Sequence, residues 1–165
     1  MPTPDLSQIR LLILDVDGVL TDGRIGLTDQ GDEIKYFCVR DGLAIRLAQR
    51  SGIQVALLSG RSSRAVERRA RELEVETVIQ GSRDKVRHLE EILKRLDLEP
   101  SQVAAMGDDL PDLPLLKMAH FSAAPSDAAP EVQSSVDYLC QSPGGHGAVR
   151  EVVERILKAR GEWEW

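Results

Sequence analysis

Two aspartates, Asp15 and Asp17, follow an apolar run at residues 11–14 and are separated by a single residue. Four apolar residues in succession are typical of a strand buried on both faces of a parallel sheet, and such sheets bind ligands beyond the carboxyl ends of their strands. Two like charges held at this edge need a positive partner, and the natural ones are a divalent cation and a lysine. The pair is therefore predicted to centre a reactive site, although a strand-end aspartate also caps helices well.

Three further polar segments stand at the ends of predicted strands or the starts of predicted helices. They are Ser59-Gly60-Arg61, Lys85 and Asp108-Asp109. Because strand ends in an open parallel sheet converge on one crevice, residues far apart in sequence are expected to meet there. Taken singly, Ser59-Gly60 also fits a strand-to-helix turn, Lys85 a solvated surface residue and Asp108-Asp109 a helix cap.

Alternating strands and helices are predicted to position these segments. Strands are predicted at 11–14, 55–58, 77–79 and 103–106, with short ones around Phe121 and Tyr138, and helices at 43–50, 64–73, 86–96, 110–118 and 148–160. Two extended runs, 24–27 and 33–39, flank a polar turn and predict a β-hairpin, here called the flap (about 22–39). The pattern predicts an α/β fold: a three-layer, Rossmann-like, doubly wound and mainly parallel sheet.

The 165 residues are expected to form one domain, 1–165, which ends in a helix and tail at about 148–165. A net charge of -6 argues against a nucleic-acid partner. Neither a signal peptide nor an apolar run of membrane-spanning length is apparent. Cys38 and Cys140 lack the spacing of a metal site and are expected to be free thiols. A small-molecule partner and a cytoplasmic location are expected.

The ordered segments resemble the signatures of the haloacid-dehalogenase-like phosphohydrolases, which are an Asp-x-Asp strand end, a Ser or Thr, a Lys and a final acidic pair. More narrowly, the chain resembles the 3-deoxy-D-manno-octulosonate 8-phosphate phosphatases. This resemblance covers nearly the whole chain and is carried by the flap and by DVDGVLTDG (15–23), LLSGRSS (57–63), GDDLPDLPLL (107–116) and GGHGAVREVVE (144–154).

The resemblance implies a Mg²⁺-dependent phosphatase that acts on octulosonate 8-phosphate in the pathway to the lipopolysaccharide inner core. Asp15 would attack phosphorus and form an aspartyl-phosphate, and Asp17 would serve as general acid and then as general base. The residues implied to hold the phosphoryl group are Ser59, Gly60 and Lys85. Those implied to hold Mg²⁺ are Asp15, Asp17 through its carbonyl, and Asp108, with Asp109 and Asp112 ordering the metal shell.

Recognition of a phosphorylated sugar acid is expected from residues around this site. The candidates are Arg40, Asp41, Arg61, Arg64 and His146, although each arginine equally fits a surface ion pair. The segment 142–147 carries three glycines and is expected either to approach a ligand as a lid or to be a connector. Trp163 and Trp165 fit a docked plug and a frayed tail equally well.

No cap domain is expected, because predicted elements fill the chain between Asp17, Ser59 and Lys85. The resemblance implies a homotetramer in which flaps pack together and contribute to adjacent sites. Apolar flap residues suit such packing, and the alternative is that they fold back on their own subunit. These residues are Ile25, Leu27, Ile34, Tyr36 and Phe37.

Two other functions stay open on the sequence. A phosphatase for a nine-carbon 2-keto-3-deoxy sugar acid 9-phosphate would share nearly every motif. A phosphoryl-accepting receiver domain also combines an acidic cluster, a Ser or Thr and a Lys, but its phosphorylated aspartate lies on a later strand than the acidic pair. The leading Asp15 and Asp17 with the trailing Asp108-Asp109 fit hydrolysis better.

Overall fold

A sheet of six strands forms the centre of the structure, a computed structural model that describes residues 4–164. In chain order the elements are β1 (Leu11–Leu14), β2 (Gly26–Leu27), β3 (Glu33–Ile34), α1 (Val39–Arg50), β4 (Gln54–Leu58), α2 (Arg64–Glu72), β5 (Thr77–Ile79), α3 (Lys85–Leu96), β6 (Val103–Met106), α4 (Leu113–Met118), β7 (Phe121–Ala124), α5 (Pro130–Gln133), β8 (Tyr138–Leu139) and α6 (Ala148–Ala159). Short 3-10 turns lie at Leu6–Gln8, Pro100–Gln102 and Leu110–Asp112.

The strand order of the main sheet is β5-β4-β1-β6-β7-β8, and its pairings are all parallel. The chain adds strands on one side of β1 as far as β5, and then on the other side from β6 onward. The winding therefore reverses beside β1, at the carboxyl edge where sheets of this kind bind ligands. The flap forms a separate two-stranded antiparallel sheet, β2-β3.

Strand β1 is buried because its residues alternate between two hydrophobic cores. Leu12 and Leu14 pack with residues of α1, α2 and α6, whereas Leu11 and Ile13 pack with residues of α3, α4 and α5. All four side chains are at most 1% exposed. A strand covered on both faces explains the unbroken apolar run, and the predicted three-layer α/β fold with a parallel sheet is confirmed.

The flap differs from its prediction. Strands β2 and β3 are only two residues long, instead of 24–27 and 33–39, and residues 35–38 form no regular structure. The apolar residues that indicated longer strands are partly turned to solvent, because Leu27 is 72% exposed and Tyr36 is 76% exposed. Short strands with one pairing partner gain little from burial, which explains why the ladder ends early.

Helix α1 begins at Val39, earlier than the predicted start at residue 43. The prediction relied on apolar spacing, and the first turn of the helix is polar. Asp41 in that turn is nevertheless buried, because its carboxylate accepts hydrogen bonds from the amides of Gly147 and Arg150. A tertiary contact with the start of α6 therefore stabilises a helical turn that the sequence pattern does not indicate.

The remaining helices differ from prediction in small ways. The predicted helix at 110–118 is a 3-10 turn followed by α4, and the four-residue helix α5 was not predicted. Among residues 4–164, no helix combines the length and the apolar character that crossing a membrane requires. Cys38 and Cys140 are free thiols.

The glycine-rich segment 142–147 packs against the loop that follows β1. The Gly145 amide donates a hydrogen bond to the Val19 carbonyl (3.0 Å). A Cβ atom on Gly144 would lie 1.9 Å from the carbonyl oxygen of Gly18. The close approach expected from these glycines is therefore made to the loop after β1 of the same chain, so that small residues here let two backbones touch.

We expect Gly144→Ala to lower the free energy of unfolding by about 1–3 kcal/mol, the usual cost of overpacking a tight site. The cost is steric, because Gly144 does not adopt a positive φ. Thermal denaturation followed by circular dichroism measures it. Gly60→Ala is the matched control, since the nearest atom to its added Cβ is 3.6 Å away. Equal melting temperatures for Gly144→Ala and the unaltered chain would contradict the packing.

Candidate active site

A cavity of about 560 Å³ opens at the carboxyl edge of β1, β4 and β6. Most of the residues predicted to do chemistry meet there, as expected for strand ends in a parallel sheet. The cavity is lined by Asp15, Asp17, Gly23, Ser59, Gly60, Arg61, Ser82, Arg83, Lys85, Asp108, Asp109, Pro111 and Asp112.

Asp15 lies at the base of the cavity, directly after β1. Its amide donates to the Met106 carbonyl of β6 (3.0 Å), which fixes its backbone to the sheet. Its side-chain Oδ1 accepts a hydrogen bond from Lys85 Nζ at 2.5 Å. Asp15 and Lys85 are both buried, so this pair is shielded from water. Lys85 opens α3 and therefore projects its ammonium from a rigid helix start.

Asp112 is the second partner of Lys85, at 2.5 Å through Oδ1. Its other oxygen, Oδ2, accepts hydrogen bonds from the amides of Asp108 (3.0 Å) and Asp109 (3.3 Å). Both oxygens of this buried carboxylate are therefore engaged. Asp112 thus fixes Lys85 and also shapes the turn after β6 that presents Asp108.

Asp108 faces Asp15 across the cavity and lies against the backbone of the loop after β1. A Cβ on Gly18 would be 2.0 Å from Asp108 Oδ2, and Gly18 has a φ of +89°. Only glycine fits at this position, because the left-handed backbone and the adjacent carboxylate both exclude a side chain. The glycine that follows Asp17 therefore allows the two acidic loops to approach.

The gathered carboxylates fit a hard divalent cation. Oxygen atoms of Asp15, Asp108 and Asp112 all lie within 4.8 Å of one another. Burial, with the nearby charge of Asp112, raises the pKa of Asp15 to about 7 even though Lys85 opposes the shift. Burial and the charges of Asp15 and Asp112 likewise raise the pKa of Asp108 to about 8. One lysine does not compensate three carboxylates, and oxygen donors of this kind suit Mg²⁺.

Lys85 stays charged in this setting. Burial alone would lower the pKa of its ammonium, but the charges of Asp15 and Asp112 and its hydrogen bonds to both carboxylates raise it. A permanently protonated lysine beside Asp15 attracts an anionic group that enters the cavity.

Asp17 is partly exposed at the mouth of the cavity and is held by a residue that the sequence analysis missed. Its Oδ1 accepts a hydrogen bond from Lys35, which follows β3 in the flap. The same ammonium lies 2.8 Å from Glu33. Burial lowers the pKa of Lys35, but the contacts with Asp17 and Glu33 outweigh it and raise the pKa. Neither spacing nor periodicity marks Lys35, since only the fold of the hairpin brings it to Asp17.

Ser59, Gly60 and Arg61 form the turn after β4. Ser59 is 2% exposed, and its Oγ accepts a hydrogen bond from the Arg61 amide (3.2 Å). Gly60 is exposed and lines the cavity, and an added Cβ would lie 3.6 Å from the Ser82 carbonyl oxygen. The Arg61 side chain is 53% exposed and lies 3.8 Å from Glu33. Ser82 and Arg83 also line the cavity, and the only sequence signal for them is their place just before Lys85.

Asp109 lines the cavity but is turned toward its own backbone. It is exposed, and its Oδ1 accepts a hydrogen bond from the Leu110 amide (2.8 Å) as the cap of the 3-10 turn. The helix-cap alternative raised by the sequence therefore describes the Asp109 side chain, while Asp112 makes the contacts that order the turn.

Four of the five candidate substrate residues do not line this cavity within one chain. Arg64 lies in a separate depression beside the flap. Arg40 donates to the His146 carbonyl (3.0 Å), and the ring of exposed His146 contacts the Gly144 carbonyl through Nδ1 (2.8 Å). The prediction that Asp41 contacts the substrate needs the clearest correction. Asp41 is 1% exposed, and its carboxylate accepts hydrogen bonds from backbone amides at the start of α6 instead of facing a ligand.

Known proteins share both the sequence and this fold. Residues 77–152 match the family model of haloacid dehalogenase-like hydrolases. The 3-deoxy-D-manno-octulosonate 8-phosphate phosphatase of Escherichia coli strain K12 is 44% identical over 156 residues, which are 94% of this chain and 83% of that protein. The crystal structure of the phosphatase of the same name from Yersinia pestis has a TM-score of 0.94 and 43% identity, and the match covers 96% of this chain and 85% of that chain.

This chain belongs to the 3-deoxy-D-manno-octulosonate 8-phosphate phosphatase family. A further structure of that name, from Moraxella catarrhalis, was solved in complex with a magnesium ion, a phosphate ion and a KDO molecule. It has a TM-score of 0.93 and 43% identity, and the match covers 95% of this chain and 90% of that chain.

Membership of the phosphatase family decides against the receiver-domain alternative. The likeness extends over nearly the whole chain, including the flap and the region of α6. Between Asp17 and Lys85 the described chain holds only the flap, α1, β4, α2 and β5, so no cap domain is inserted there.

The raised pKa values of Asp15 and Asp108 predict how stability depends on pH without metal. Both values lie above the unfolded value of 3.8, so the folded chain binds more protons than the unfolded chain between about pH 4 and about pH 8. The free energy of unfolding in EDTA is therefore expected to fall as pH rises through this window. Asp108→Asn should make the free energy of unfolding depend less on pH. It should also raise the melting temperature near pH 8, by about 2–4 °C for each kcal/mol by which the substitution increases the free energy of unfolding.

Melting temperatures measured in EDTA across this pH range test the prediction. Asp29→Asn is the control, because Asp29 is exposed in the flap turn and stands outside the acidic cluster. Identical pH slopes for Asp108→Asn and the unaltered chain would contradict the electrostatic account.

Proposed function

We propose that this chain is a Mg²⁺-dependent phosphatase that hydrolyses 3-deoxy-D-manno-octulosonate 8-phosphate to 3-deoxy-D-manno-octulosonate and inorganic phosphate. The observation that carries the proposal is the buried Asp15, held through Oδ1 by Lys85 at the base of an open cavity and faced by Asp108. Family membership supplies the substrate, since the relatives carry that name.

In the first step, Asp15 would attack the phosphorus atom. Lys85 holds Oδ1, which leaves Oδ2 to form the new oxygen–phosphorus bond while the bond to the ester oxygen breaks. Asp17 would give its proton to that ester oxygen, so that the sugar leaves as a neutral alcohol. The product on the enzyme is an aspartyl-phosphate at Asp15.

In the second step, water would attack the phosphorus of the aspartyl-phosphate. Asp17, now ionised, would take a proton from that water, and the bond between phosphorus and the Asp15 oxygen would break. Inorganic phosphate leaves, Asp15 is restored as a carboxylate and Asp17 is protonated again. Asp17 thus recovers from water a proton to replace the one that left with the sugar alcohol.

The phosphoryl oxygens would be held by the Ser59 hydroxyl, the Gly60 amide and the Lys85 ammonium, since all three residues line the cavity. Such fixed donors stabilise the charge that develops in phosphoryl transfer. Asp15, the carbonyl of Asp17 and Asp108 would hold Mg²⁺, with Asp109 and Asp112 supporting their loop. When bound, Mg²⁺ neutralises phosphoryl charge and the repulsion among these carboxylates.

Arg61 is the candidate best placed to recognise the carboxylate of the sugar acid, because it is half-exposed and lines the cavity. We further propose that the chain is a homotetramer, works in the cytoplasm and belongs to lipopolysaccharide inner-core precursor synthesis. The pathway and the location rest on family membership. The tetramer is supported by the exposed apolar side chains of the flap, above all Leu27 and Tyr36.

Phe37 is an exception among the apolar flap residues. It is partly buried against the chain's own hydrophobic core, and the Arg69 guanidinium lies 5.8 Å from its ring centre. The alternative that flap residues pack on their own subunit therefore holds for Phe37. Ile25 and Ile34 are about 40% exposed and are still available to a neighbouring chain.

Phosphate release from three substrates tests the proposed activity. We expect octulosonate 8-phosphate to be preferred over the nine-carbon sugar acid 9-phosphate and over an aryl phosphate. Release should require Mg²⁺, stop in EDTA and fall by more than about 10³-fold in Asp15→Asn. Asp29→Asn should retain activity. Preference for the nine-carbon substrate would overturn the substrate but keep the mechanism, whereas full activity of Asp15→Asn would overturn the mechanism.

The oligomer is tested by sedimentation velocity on Leu27→Glu. A charge placed among apolar flap side chains should dissociate the tetramer into smaller species, because burying an unpaired carboxylate is costly. Leu139→Glu is the matched control, since Leu139 is an exposed leucine on β8, away from the flap. A tetramer that persists in Leu27→Glu, or a monomeric unaltered chain, would contradict the proposal.

A further inference from the structure

The carboxylate of Asp17 is held in place by the flap. Among the residues that the structure describes, the one side-chain hydrogen bond that Asp17 makes comes from Lys35, and it goes to Oδ1. Within residues 4–164 no hydrogen bond engages Oδ2, and Asp17 lines the cavity. The Lys35 side chain has no exposed area, whereas Leu27 and Tyr36 of the same hairpin are largely in solvent.

Lys35 is fixed from its other side as well. Glu33, at the start of β3, lies 2.8 Å from the Lys35 ammonium and also faces Arg61 at 3.8 Å. A buried lysine between two carboxylates has few alternative positions, because leaving Asp17 would remove the one side-chain hydrogen bond to that carboxylate among the described residues. The contact with Glu33 therefore aims the ammonium at Asp17.

The flap does not depend on Lys35 for its attachment to the rest of the chain. Phe37, two residues further on, packs into the hydrophobic core and lies beneath Arg69. Removing the Lys35 ammonium would thus leave the hairpin anchored while freeing the Asp17 side chain to rotate. This separation allows a positioning role to be distinguished from a structural one.

We propose that Lys35 is a positioning residue that holds the Asp17 carboxylate in the orientation needed for proton transfer to the leaving group. The inference rests on the proposed function, in which Asp17 is the general acid. It also makes the proton-transfer step depend on the position of the flap, because Lys35 and Glu33 both belong to it.

Leaving-group dependence tests this role in Lys35→Met, which keeps the length and apolar stem of lysine. The ratio kcat/KM reports the steps up to formation of the aspartyl-phosphate. An alkyl phosphate such as octulosonate 8-phosphate needs a general acid in that step, whereas p-nitrophenyl phosphate has a leaving group that departs unprotonated. We expect kcat/KM to fall about 10–100-fold for the alkyl phosphate and less than about 3-fold for the aryl phosphate.

Two variants serve as controls. Lys35→Arg should recover most of the alkyl phosphate activity, because a guanidinium can also reach Asp17 and Glu33. Lys94→Met removes an exposed lysine of α3 and should leave both substrates unaffected. Equal losses of kcat/KM on the two substrates in Lys35→Met would overturn the inference, since they would indicate a general structural effect.

A crystal structure of Lys35→Met provides a readout that does not depend on activity. The Asp17 side chain is expected to leave its single orientation, and an unchanged Asp17 with an ordered flap would contradict the inference. Failure of the unaltered chain to hydrolyse octulosonate 8-phosphate would instead count against the proposed substrate. The Lys35 comparison would then use whichever alkyl phosphate the chain hydrolyses.

Discussion

The concentration of negative charge at the end of β1 is the constraint on which the rest of the structure depends. Asp15, Asp108 and Asp112 are drawn within 4.8 Å of one another, while Lys85 supplies one compensating charge. Like charges at this separation repel strongly where water is excluded. The cluster is held because each carboxylate follows or caps a rigid element, and because the covered sheet gives those elements no room to move apart. The repulsion that remains is what a bound divalent cation would relieve.

Close backbone contacts maintain this geometry. Gly18 lets the loop after β1 lie against Asp108, and Gly144 lets the segment before α6 lie against Gly18 in turn. Asp41 then fixes the start of α6 through two backbone amides. These residues form a continuous connection from the acidic cluster to α1 and α6. Glycines whose sequence pattern fits a ligand-binding lid therefore pack against the loop after β1.

The parts of the site that lie on the sheet could be predicted from the sequence, and the parts that depend on loops could not. Asp15, Ser59 and Asp108 follow buried strands, and parallel strand ends converge whatever the loops do. Lys35 lies on a hairpin whose path over the sheet is decided by tertiary contacts, so no local pattern links it to Asp17. Asp41 precedes the apolar spacing of α1, and its burial depends on a partner more than 100 residues later.

The central claim is that Asp15 carries the phosphoryl group during turnover, and its most direct test is to trap that group. In Asp17→Asn, an aryl phosphate should still phosphorylate the chain, while hydrolysis of the intermediate slows for want of a general base. Acid quenching, proteolysis and mass spectrometry then locate the phosphoryl group. The account predicts it on the peptide that contains Asp15 and at that residue. A phosphoryl group on another side chain, or release of the aryl alcohol with Asp15 unmodified throughout, would contradict it.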